Sequence, residues 1–417
     1  MRPVSVTLRS GGIALTAIAV IGCATSASAV GTPQARPPSA SRPAVSRSPA
    51  SRSAVSPSVV SRPTASSRPS PLVSPAGPAS LSAAQRAGQR VIYSYPGLTP
   101  PGRLLWLIRH GEAAGVIFFG PNIRSTSQIA GVIRQLEAAD AASTNPVHSP
   151  LLLMTDQEGG LVRRLPGRPD KSEKQIGESR DPGLAATQAG NGAAATLGGV
   201  GMNVNLAPVL DVYRQAGDFD DQFQRSYSKN PRVVSALGAN FIQAQQHGGV
   251  AATAKHFPGL GAATRNQDTD AVPVTLNVSA ARLRSIDELP YKAAIAAGVK
   301  LVMVSWAVYP ALDPSRPAGL SSKIIQGELR TRLGFRGVTI TDSIEAGALR
   351  NYGTISNRAQ LAAGAGMDLI LCAAQNVAEG VSCRDGLQSG YASGTLNHAA
   401  YQAALNQVLS LRASLPG

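Results

Sequence analysis

Charged residues that could act as acids, bases or nucleophiles follow directly after short apolar runs in this sequence. Asp156 and Glu158 lie in TDQEGG, Lys255 and His256 lie in AKHFPG, and Asp342 lies in ITDS. Charged groups are costly to bury unless they face one another across a polar pocket. A carbohydrate, whose hydroxyl groups point in many directions, is the ligand that best suits such a ring of carboxylates and cations. The alternative is that each charge caps a strand and serves stability alone.

The apolar runs that carry these residues belong to a regular alternation of strands and helices beyond position 82. Short apolar runs separated by Ala/Leu-rich segments are typical of parallel β/α units. We predict strands at 91–95, 115–119, 151–156, 202–208, 251–256, 301–306, 337–342 and 367–372. We predict helices around 101–109, 126–140, 183–199, 231–247, 279–297, 321–333, 356–365 and 398–413. This alternation predicts an α/β fold, a (β/α)8 TIM barrel over residues 82–417, with functional residues at the strand ends.

The N-terminus is typical of an export signal over residues 1–29. Two arginines precede an apolar run at 12–21, which is too short to span a bilayer permanently. Two processing sites compete. One is the lipobox-like VIGC, in which Cys23 would be lipidated, and the other is the small-residue site ASA at 27–29. We therefore expect an exported protein that is either extracellular or anchored to the cell surface as a lipoprotein.

Residues 30–81 have a different composition, rich in Pro, Ser, Ala and Arg. Such a segment cannot bury enough apolar surface to offset its ordering entropy, so we predict a disordered linker. Nine of the 39 basic residues and none of the 24 acidic residues precede position 88. The rest of the chain therefore has 30 basic and 24 acidic residues, which give it a net charge of +6. Scattered arginines without aromatic partners disfavour specific nucleic-acid binding. We expect membrane contact only through a lipid anchor, and we expect a monomer.

Seven sequence blocks in order resemble the catalytic barrel of glycoside hydrolase family 3, especially its single-domain bacterial β-N-acetylhexosaminidases. The blocks are GVIFFGPNI at 115–123, MTDQEGGLVRRL at 154–165, GMNVNLAPVLDV at 201–212, RSYSKNP at 225–231, AKHFPGLG at 254–261, VMVSWAVYPALD at 302–313 and LGFRGVTITDS at 333–343. The resemblance implies a retaining exo-glycosidase that needs no cofactor or metal, and the sequence shows no His/Cys/carboxylate cluster at metal-ligand spacing.

The resemblance also implies roles for individual residues. Asp342 matches the nucleophile, which attacks the anomeric carbon to give a covalent glycosyl-enzyme. Nearby cations would keep that carboxylate ionised and would hold sugar oxygens. The positions that match sugar-binding residues of the family are Asp156, Arg164, Arg225, Lys255 and His256.

The acid/base residue is where the sequence departs from the family. The hexosaminidase-type members carry an Asp-Ser-His run in the loop after KHFPG, whereas this loop reads AATRNQDTDAVP and has no histidine. Asp268 and Asp270 occupy the loop, and either could serve as the general acid if desolvation raised its pKa. The alternative is a simple polar turn. The competing functions are therefore a glycan-binding lipoprotein with impaired catalysis, or a β-glucosidase-like specificity.

Four further positions leave alternatives open. Leu161 and Trp306 replace an Arg and a His that are common in the family, and Trp306 could either stack on a sugar or lie in the core. Cys372 and Cys383 flank a predicted loop at 373–382. In an oxidising exterior they could form a disulfide. The alternative is a buried Cys372 and an unrelated Cys383.

Overall fold

The computed structural model describes residues 80–416. The predicted export signal at 1–29, its Cys23 and residues 30–79 of the predicted linker lie outside the described residues. Leu81, which we assigned to the linker, is only 3% exposed and is therefore part of the packed domain. The domain begins slightly earlier than the sequence predicted.

The described residues form twelve strands, numbered in chain order. They are β1 (Val91–Tyr93), β2 (Gly115–Ile117), β3 (Leu152–Thr155), β4 (Gln157–Gly159), β5 (Val162–Arg163), β6 (Val204–Asn205), β7 (Ala251–Phe257), β8 (Leu301–Val304), β9 (Val308–Tyr309), β10 (Asp313–Pro317), β11 (Val338–Thr341) and β12 (Ile370–Leu371).

Eight of these strands pair in parallel in the order β11-β8-β7-β6-β3-β2-β1-β12. A parallel bridge between Ile340 and Leu369 joins the two edges of this sheet, so the barrel is nearly closed. Each of the eight predicted strands overlaps one of them. This confirms the α/β class and is consistent with the predicted (β/α)8 barrel. The other four strands form the antiparallel hairpins β4–β5 and β9–β10.

Alternate residues of the barrel strands pack into two separate apolar clusters. Ile92, Leu152 and Met154 belong to one cluster, whereas Val91 and Leu153 belong to the other. Successive side chains of a strand point to opposite faces, so the first cluster fills the barrel and the second packs against the helices. Both faces are buried, which explains why the strands read as continuous apolar runs.

The described residues also form twelve α-helices. They are α1 (Ala83–Gly88), α2 (Gly102–Arg109), α3 (Thr126–Asp140), α4 (Glu173–Gly177), α5 (Pro182–Gly198), α6 (Phe219–Gln222), α7 (Pro231–His247), α8 (Ala280–Arg282), α9 (Leu289–Ala296), α10 (Ile355–Ala365), α11 (Val377–Ala392) and α12 (His398–Ala413). None of the helices within residues 80–416 is long and apolar enough to cross a membrane.

The predicted helices are confirmed in position, but two of them differ in type. The predicted helix at 279–297 is interrupted by a π-helical turn at Leu283–Asp287, and the one at 321–333 is π-helical over Lys323–Arg332. The last predicted helix, 398–413, coincides with α12.

The sequence missed α11, which we had interpreted in part as a loop between two cysteines. Glycine lowers helix propensity, and α11 contains three glycines. Two of them serve close packing: a Cβ at Gly380 would lie 2.2 Å from the Tyr93 ring, and one at Gly386 would lie 2.6 Å from the Ser356 carbonyl oxygen. The glycines that disfavour this helix by propensity therefore allow it to pack against the barrel.

The helix α11 also corrects the predicted loop between Cys372 and Cys383. Cys372 follows β12 directly, and Cys383 lies inside α11 rather than at the end of a loop. Both are buried free thiols, and their Sγ atoms lie 2.9 Å apart. The two residues are therefore neighbours, and the disulfide stays a prediction.

Candidate active site

A cavity of about 320 Å³ opens at the C-terminal ends of the barrel strands. Its floor consists of the interior apolar residues Ile117, Leu206, Met303 and Leu371, and its walls carry the charged residues. The lining residues are Ile117, Phe119, Asp156, Glu158, Val162, Arg164, Leu206, Phe219, Phe223, Arg225, Lys255, His256, Leu260, Asp268, Thr269, Asp270, Met303, Asp342, Ser343 and Leu371. All eight residues predicted as nucleophile, acid/base candidates or sugar ligands are among them.

Lys255, in β7, connects two carboxylates on one side of the cavity. Its Nζ lies 2.7 Å from Asp156 Oδ1 and 2.8 Å from Glu158 Oε1. Burial opposes the charged ammonium, but the two carboxylates outweigh it and raise the pKa of Lys255. Lys255 is therefore a fixed cation that can donate to a sugar oxygen.

Glu158 is the buried centre of this network. Besides Lys255, it accepts hydrogen bonds from Arg225 Nε and Nη2, both at 2.9 Å. Burial would raise the pKa of Glu158, but Arg225 and Lys255 lower it to about 2. A buried charge is tolerated when it is paired and hydrogen-bonded, as that of Glu158 is. Because Glu158 contacts both Lys255 and Arg225, it orients both cations. The sequence placed Glu158 among the charged strand-end residues but did not reveal this role.

Arg164 completes this side of the cavity from the hairpin that follows β3. The β4–β5 pairing returns the chain to the cavity, and Arg164 Nη2 lies 3.9 Å from Asp156 Oδ2. Leu161, at the turn of this hairpin, is 65% exposed, so its side chain presents an apolar surface beside the pocket.

His256 lies next to Lys255 and pairs with a residue that the sequence reasoning missed. Its Nδ1 is 2.7 Å from Asp211 Oδ2, and Asp211 Oδ1 accepts the Leu260 amide at 2.6 Å. Burial opposes protonation, but the Asp211 carboxylate raises the pKa of His256. With Nδ1 engaged, Nε2 is the ring nitrogen left for a ligand. Asp211 lies in the LAPVLDV block, which was its only sequence signal.

Asp342 follows β11 and enters the cavity from the opposite side. Its Oδ1 accepts the Ser343 amide at 2.8 Å. The Ser343 carbonyl in turn accepts the Trp306 indole N–H at 2.8 Å. Trp306 is fully buried, so it supports the backbone behind Asp342 and does not stack on a sugar.

The loop that carries Asp268 and Asp270 is tied to the segment after Asp342. The Gly347 amide donates to the Asp270 carbonyl at 2.7 Å, and the Ala348 amide donates to the Thr269 carbonyl at 3.0 Å. Asp268 Oδ1 accepts the Asp270 amide at 2.9 Å and is thereby engaged in the turn. The loop therefore forms a polar turn, and it also presents Asp270 to the cavity.

Asp270 differs from Asp268 in its electrostatic surroundings. The nearby Asp342 carboxylate, followed by partial burial and by Asp268, raises the pKa of Asp270 to about 7. A carboxyl with such a pKa holds its proton in part at neutral pH, as a general acid must. Cleavage of a glycosidic bond commonly uses two carboxyl groups, one of which donates a proton.

One further acidic residue of this region was missed because it lies outside the seven sequence blocks that carry the family resemblance. Asp220, in α6, is 1% exposed and lies 3.7 Å from Arg225 through its Oδ1. Burial and the Asp211 carboxylate raise the pKa of Asp220 to about 7. Ligating atoms of Asp211, Asp220 and His256 lie within 4.8 Å of one another, so a cluster of metal-ligating type exists although the sequence spacing gave no sign of it.

Comparisons with known proteins agree with this geometry. The model of the glycosyl hydrolase family 3 N terminal domain matches residues 103–411. An uncharacterized secreted glycosyl hydrolase of Arthroderma benhamiae is 45% identical over 345 residues, which cover 82% of this chain and 97% of that protein. A β-hexosaminidase of Nitrosomonas eutropha is 35% identical over 275 residues, which cover 63% of this chain and 74% of that protein.

Solved structures give the same result. A glycoside hydrolase family 3 β-N-acetylglucosaminidase from Paenibacillus sp. matches with a TM-score of 0.74 at 32% identity, covering 80% of this chain and 63% of that one. A β-N-acetylhexosaminidase from Beutenbergia cavernae matches with a TM-score of 0.71 at 30% identity, covering 80% of this chain and 99% of that one.

The barrel and its match to the family model and to related enzymes define a glycoside hydrolase. The chain belongs to glycosyl hydrolase family 3.

Proposed function

We propose that this protein is an exported, retaining exo-glycosidase of the β-N-acetylhexosaminidase type that acts on cell-wall-type amino-sugar glycans. Asp342 is the nucleophile and Asp270 is the acid/base. The observation that carries the proposal is that the charge of Asp342 is the main cause of the raised pKa of Asp270. The two carboxyl groups therefore interact within one cavity, and one of them retains a proton.

The cavity supports the role of the sugar-binding residues. Asp156, Lys255 and Arg164 offer acceptors and donors on one wall, and His256 offers a ring nitrogen beside them. The buried carboxylates of Glu158 and Asp211 fix the positions of Lys255 and His256 before substrate arrives, so these two residues need little reorganisation on binding. A single cavity of about 320 Å³ suits a terminal sugar better than an internal stretch of polymer.

In the first step, an oxygen of Asp342 attacks the anomeric carbon as the bond to the leaving oxygen breaks. The leaving oxygen takes the proton of Asp270, and Asp342 becomes a neutral glycosyl ester. The ester removes the charge that raises the pKa of Asp270, so Asp270 now holds a proton less tightly. It accepts a proton from water, which attacks the anomeric carbon and releases Asp342.

The amino-sugar specificity and the export rest on different support. Relatives that match the barrel are named β-hexosaminidase and β-N-acetylglucosaminidase, which favours an N-acetylated terminal sugar. Export is favoured by the composition of residues 1–29 and by the relative named a secreted glycosyl hydrolase. Anchoring through Cys23 is part of the proposal, as an alternative to cleavage at 27–29.

A panel of aryl glycosides tests the proposal. We expect release of nitrophenol from the N-acetyl-β-glucosaminide in preference to the β-glucoside, with a loss of at least about 10⁴-fold in kcat/KM in Asp342→Ala. Preference for the β-glucoside would instead indicate a β-glucosidase-like specificity. Ser343→Ala, which alters the neighbouring side chain but not the carboxylate, is the matched control.

A fluorinated glycosyl reagent separates catalysis from binding alone. We expect it to label Asp342 in the wild-type protein and to leave Asp342→Ala unlabelled. Saturable sugar binding without turnover or labelling would show that the protein is a glycan-binding relative that has lost catalysis.

A further inference from the structure

Asp220 is a buried acid with no hydrogen-bond partner among the described residues. It is 1% exposed, and neither carboxyl oxygen accepts a hydrogen bond. The nearest cation, Arg225 Nη1, lies 3.7 Å away, beyond hydrogen-bond distance, while Nε and Nη2 of the same guanidinium donate to Glu158. Buried polar atoms are nearly always satisfied, and an exception needs an explanation.

The unpartnered carboxyl of Asp220 faces two other groups that can bind a metal ion. Ligating atoms of Asp220, Asp211 and His256 all lie within 4.8 Å of one another. Asp211 Oδ2 and His256 Nδ1 are 2.7 Å apart and hydrogen-bonded, so a metal ion would displace the proton between them and move the two atoms apart. The cluster contains two carboxylates and an imidazole, and Asp211 Oδ1 is already engaged by the Leu260 amide.

The backbone around this cluster is firmly held. The Phe219 amide donates to the Ala263 carbonyl at 3.1 Å, and the Arg225 amide donates to the Asp220 carbonyl at 3.0 Å. His256 is in β7 at the centre of the barrel sheet, and Asp211 also accepts the Leu260 amide. Bringing the three ligands to bonding distance therefore depends on side-chain movement rather than on movement of the backbone.

We propose that Asp211, Asp220 and His256 form a binding site for one divalent transition-metal ion such as Zn²⁺. Mixed imidazole and carboxylate ligands suit Zn²⁺, whereas Mg²⁺ and Ca²⁺ take all-oxygen ligands. A metal on His256 Nδ1 would replace the proton shared with Asp211. Because His256 also lines the sugar cavity, the ion would change the orientation and charge of a sugar-binding group.

The test is zinc binding by the full chain, measured without substrate. Protein freed of metal with a chelator is titrated with ZnCl₂ and its metal content is determined by mass spectrometry. We expect one Zn²⁺ per chain in the wild-type protein, and a loss of affinity of at least about tenfold in Asp220→Asn. Co²⁺ used in place of Zn²⁺ should give visible d–d bands that Asp220→Asn lacks.

Asp221→Asn is the matched control, because the adjacent Asp221 is also in α6 but is engaged by Lys174 Nζ and the Gly217 amide, both at 2.7 Å. We expect it to bind Zn²⁺ like the wild-type protein. Absence of stoichiometric Zn²⁺ in the wild-type protein, or equal binding by Asp220→Asn, would overturn the proposal. Binding is measured without turnover, so the outcome does not depend on the proposed glycosidase activity.

Discussion

The two sides of the cavity are built in different ways. On the proposed sugar-binding side, Lys255 and His256 lie in the barrel strand β7, whereas Arg164 and Arg225 lie outside the barrel strands. The buried carboxylates of Glu158 and Asp211 hold Lys255, Arg225 and His256. The proposed acid/base side is a loop that carries Asp270 and is held through backbone hydrogen bonds to Gly347 and Ala348. Binding groups fixed by the core tolerate little change, whereas a loop can exchange its proton donor without disturbing the fold.

This difference is consistent with the proposed aspartate acid/base at a position where the family resemblance implies a histidine. A general acid on this loop has to keep its proton near neutral pH. The charge of Asp342 raises the pKa of the Asp270 carboxyl, so that this carboxyl meets the requirement. The proposed sugar-binding side has less freedom, because Lys255 and Arg225 each pair with two carboxylates. The predictions that follow test the two sides against each other.

Removal of the Asp270 carboxyl should have the largest effect after loss of the nucleophile. We expect Asp270→Ala to lower kcat on a natural disaccharide by about 10²–10⁴-fold, because the leaving sugar then departs without a proton. Aryl glycosides with acidic leaving groups should lose far less. Asp268→Ala, which removes the other loop carboxyl, serves as the comparison, and an equal or larger loss in Asp268→Ala would assign the acid/base role to Asp268.

On the sugar-binding side, Glu158→Gln should damage the fold as well as binding. The change removes the charge that pairs with Lys255 and Arg225, and we expect the free energy of unfolding to fall by about 3–5 kcal/mol. Denaturant unfolding measures this change. Asp170→Asn breaks the ion pair with Arg163, in which the Asp170 side chain is 70% exposed, and should cost less than about 1 kcal/mol.

The cysteine pair allows a test of the scaffold outside both sides of the cavity. We propose that a disulfide-bearing oxidant outside the cell takes the two thiol hydrogens of Cys372 and Cys383, so that these residues form a disulfide and the oxidant is reduced to a dithiol. The oxidised protein should be more stable than Cys383→Ala by about 2–4 kcal/mol. Mass analysis of alkylated, unreduced protein that found two free thiols would refute this prediction.

The smallest effect that we expect is a pH dependence set by Asp270. Its raised pKa of about 7 means that the required proton is present below pH 7 and is lost above it. We therefore expect kcat/KM on a natural disaccharide to fall about tenfold per pH unit above the pKa. Asp270→Asn should have lower activity and should lack this limb. A limb that persisted in Asp270→Asn would have to come from another group.

Strand counting predicted the barrel because every barrel strand is buried on both faces and therefore reads as an apolar run. The charged residues at the strand ends were predictable for the same reason: Asp156, Lys255 and Asp342 each follow or end such a run. The sequence motifs added Arg164 and Arg225, which lie outside the barrel strands.

Other parts of the site could not be predicted, because they depend on contacts between distant positions. Asp220 is far in sequence from His256, and its burial results from the packing of α6 against the loop after β7. The helix α11 was missed because its glycines have a packing role that only the neighbouring Tyr93 and Ser356 reveal. The position of Trp306 in the core could not be predicted either, because its indole N–H donates to the Ser343 backbone carbonyl and no sequence motif indicates that contact.

The hydrogen bonds between the 269–270 backbone and Gly347–Ala348 have a consequence for anyone who wishes to redesign this enzyme. A Cβ at Gly347 would lie 2.2 Å from the Ala271 carbonyl oxygen, so the two segments fit together only with glycine there. A loop of different backbone shape, introduced in place of the loop that carries Asp270, would not fit against Gly347 and Ala348. The loop that carries Asp270 and the segment that follows Asp342 should therefore be exchanged together when the proposed proton donor is replaced.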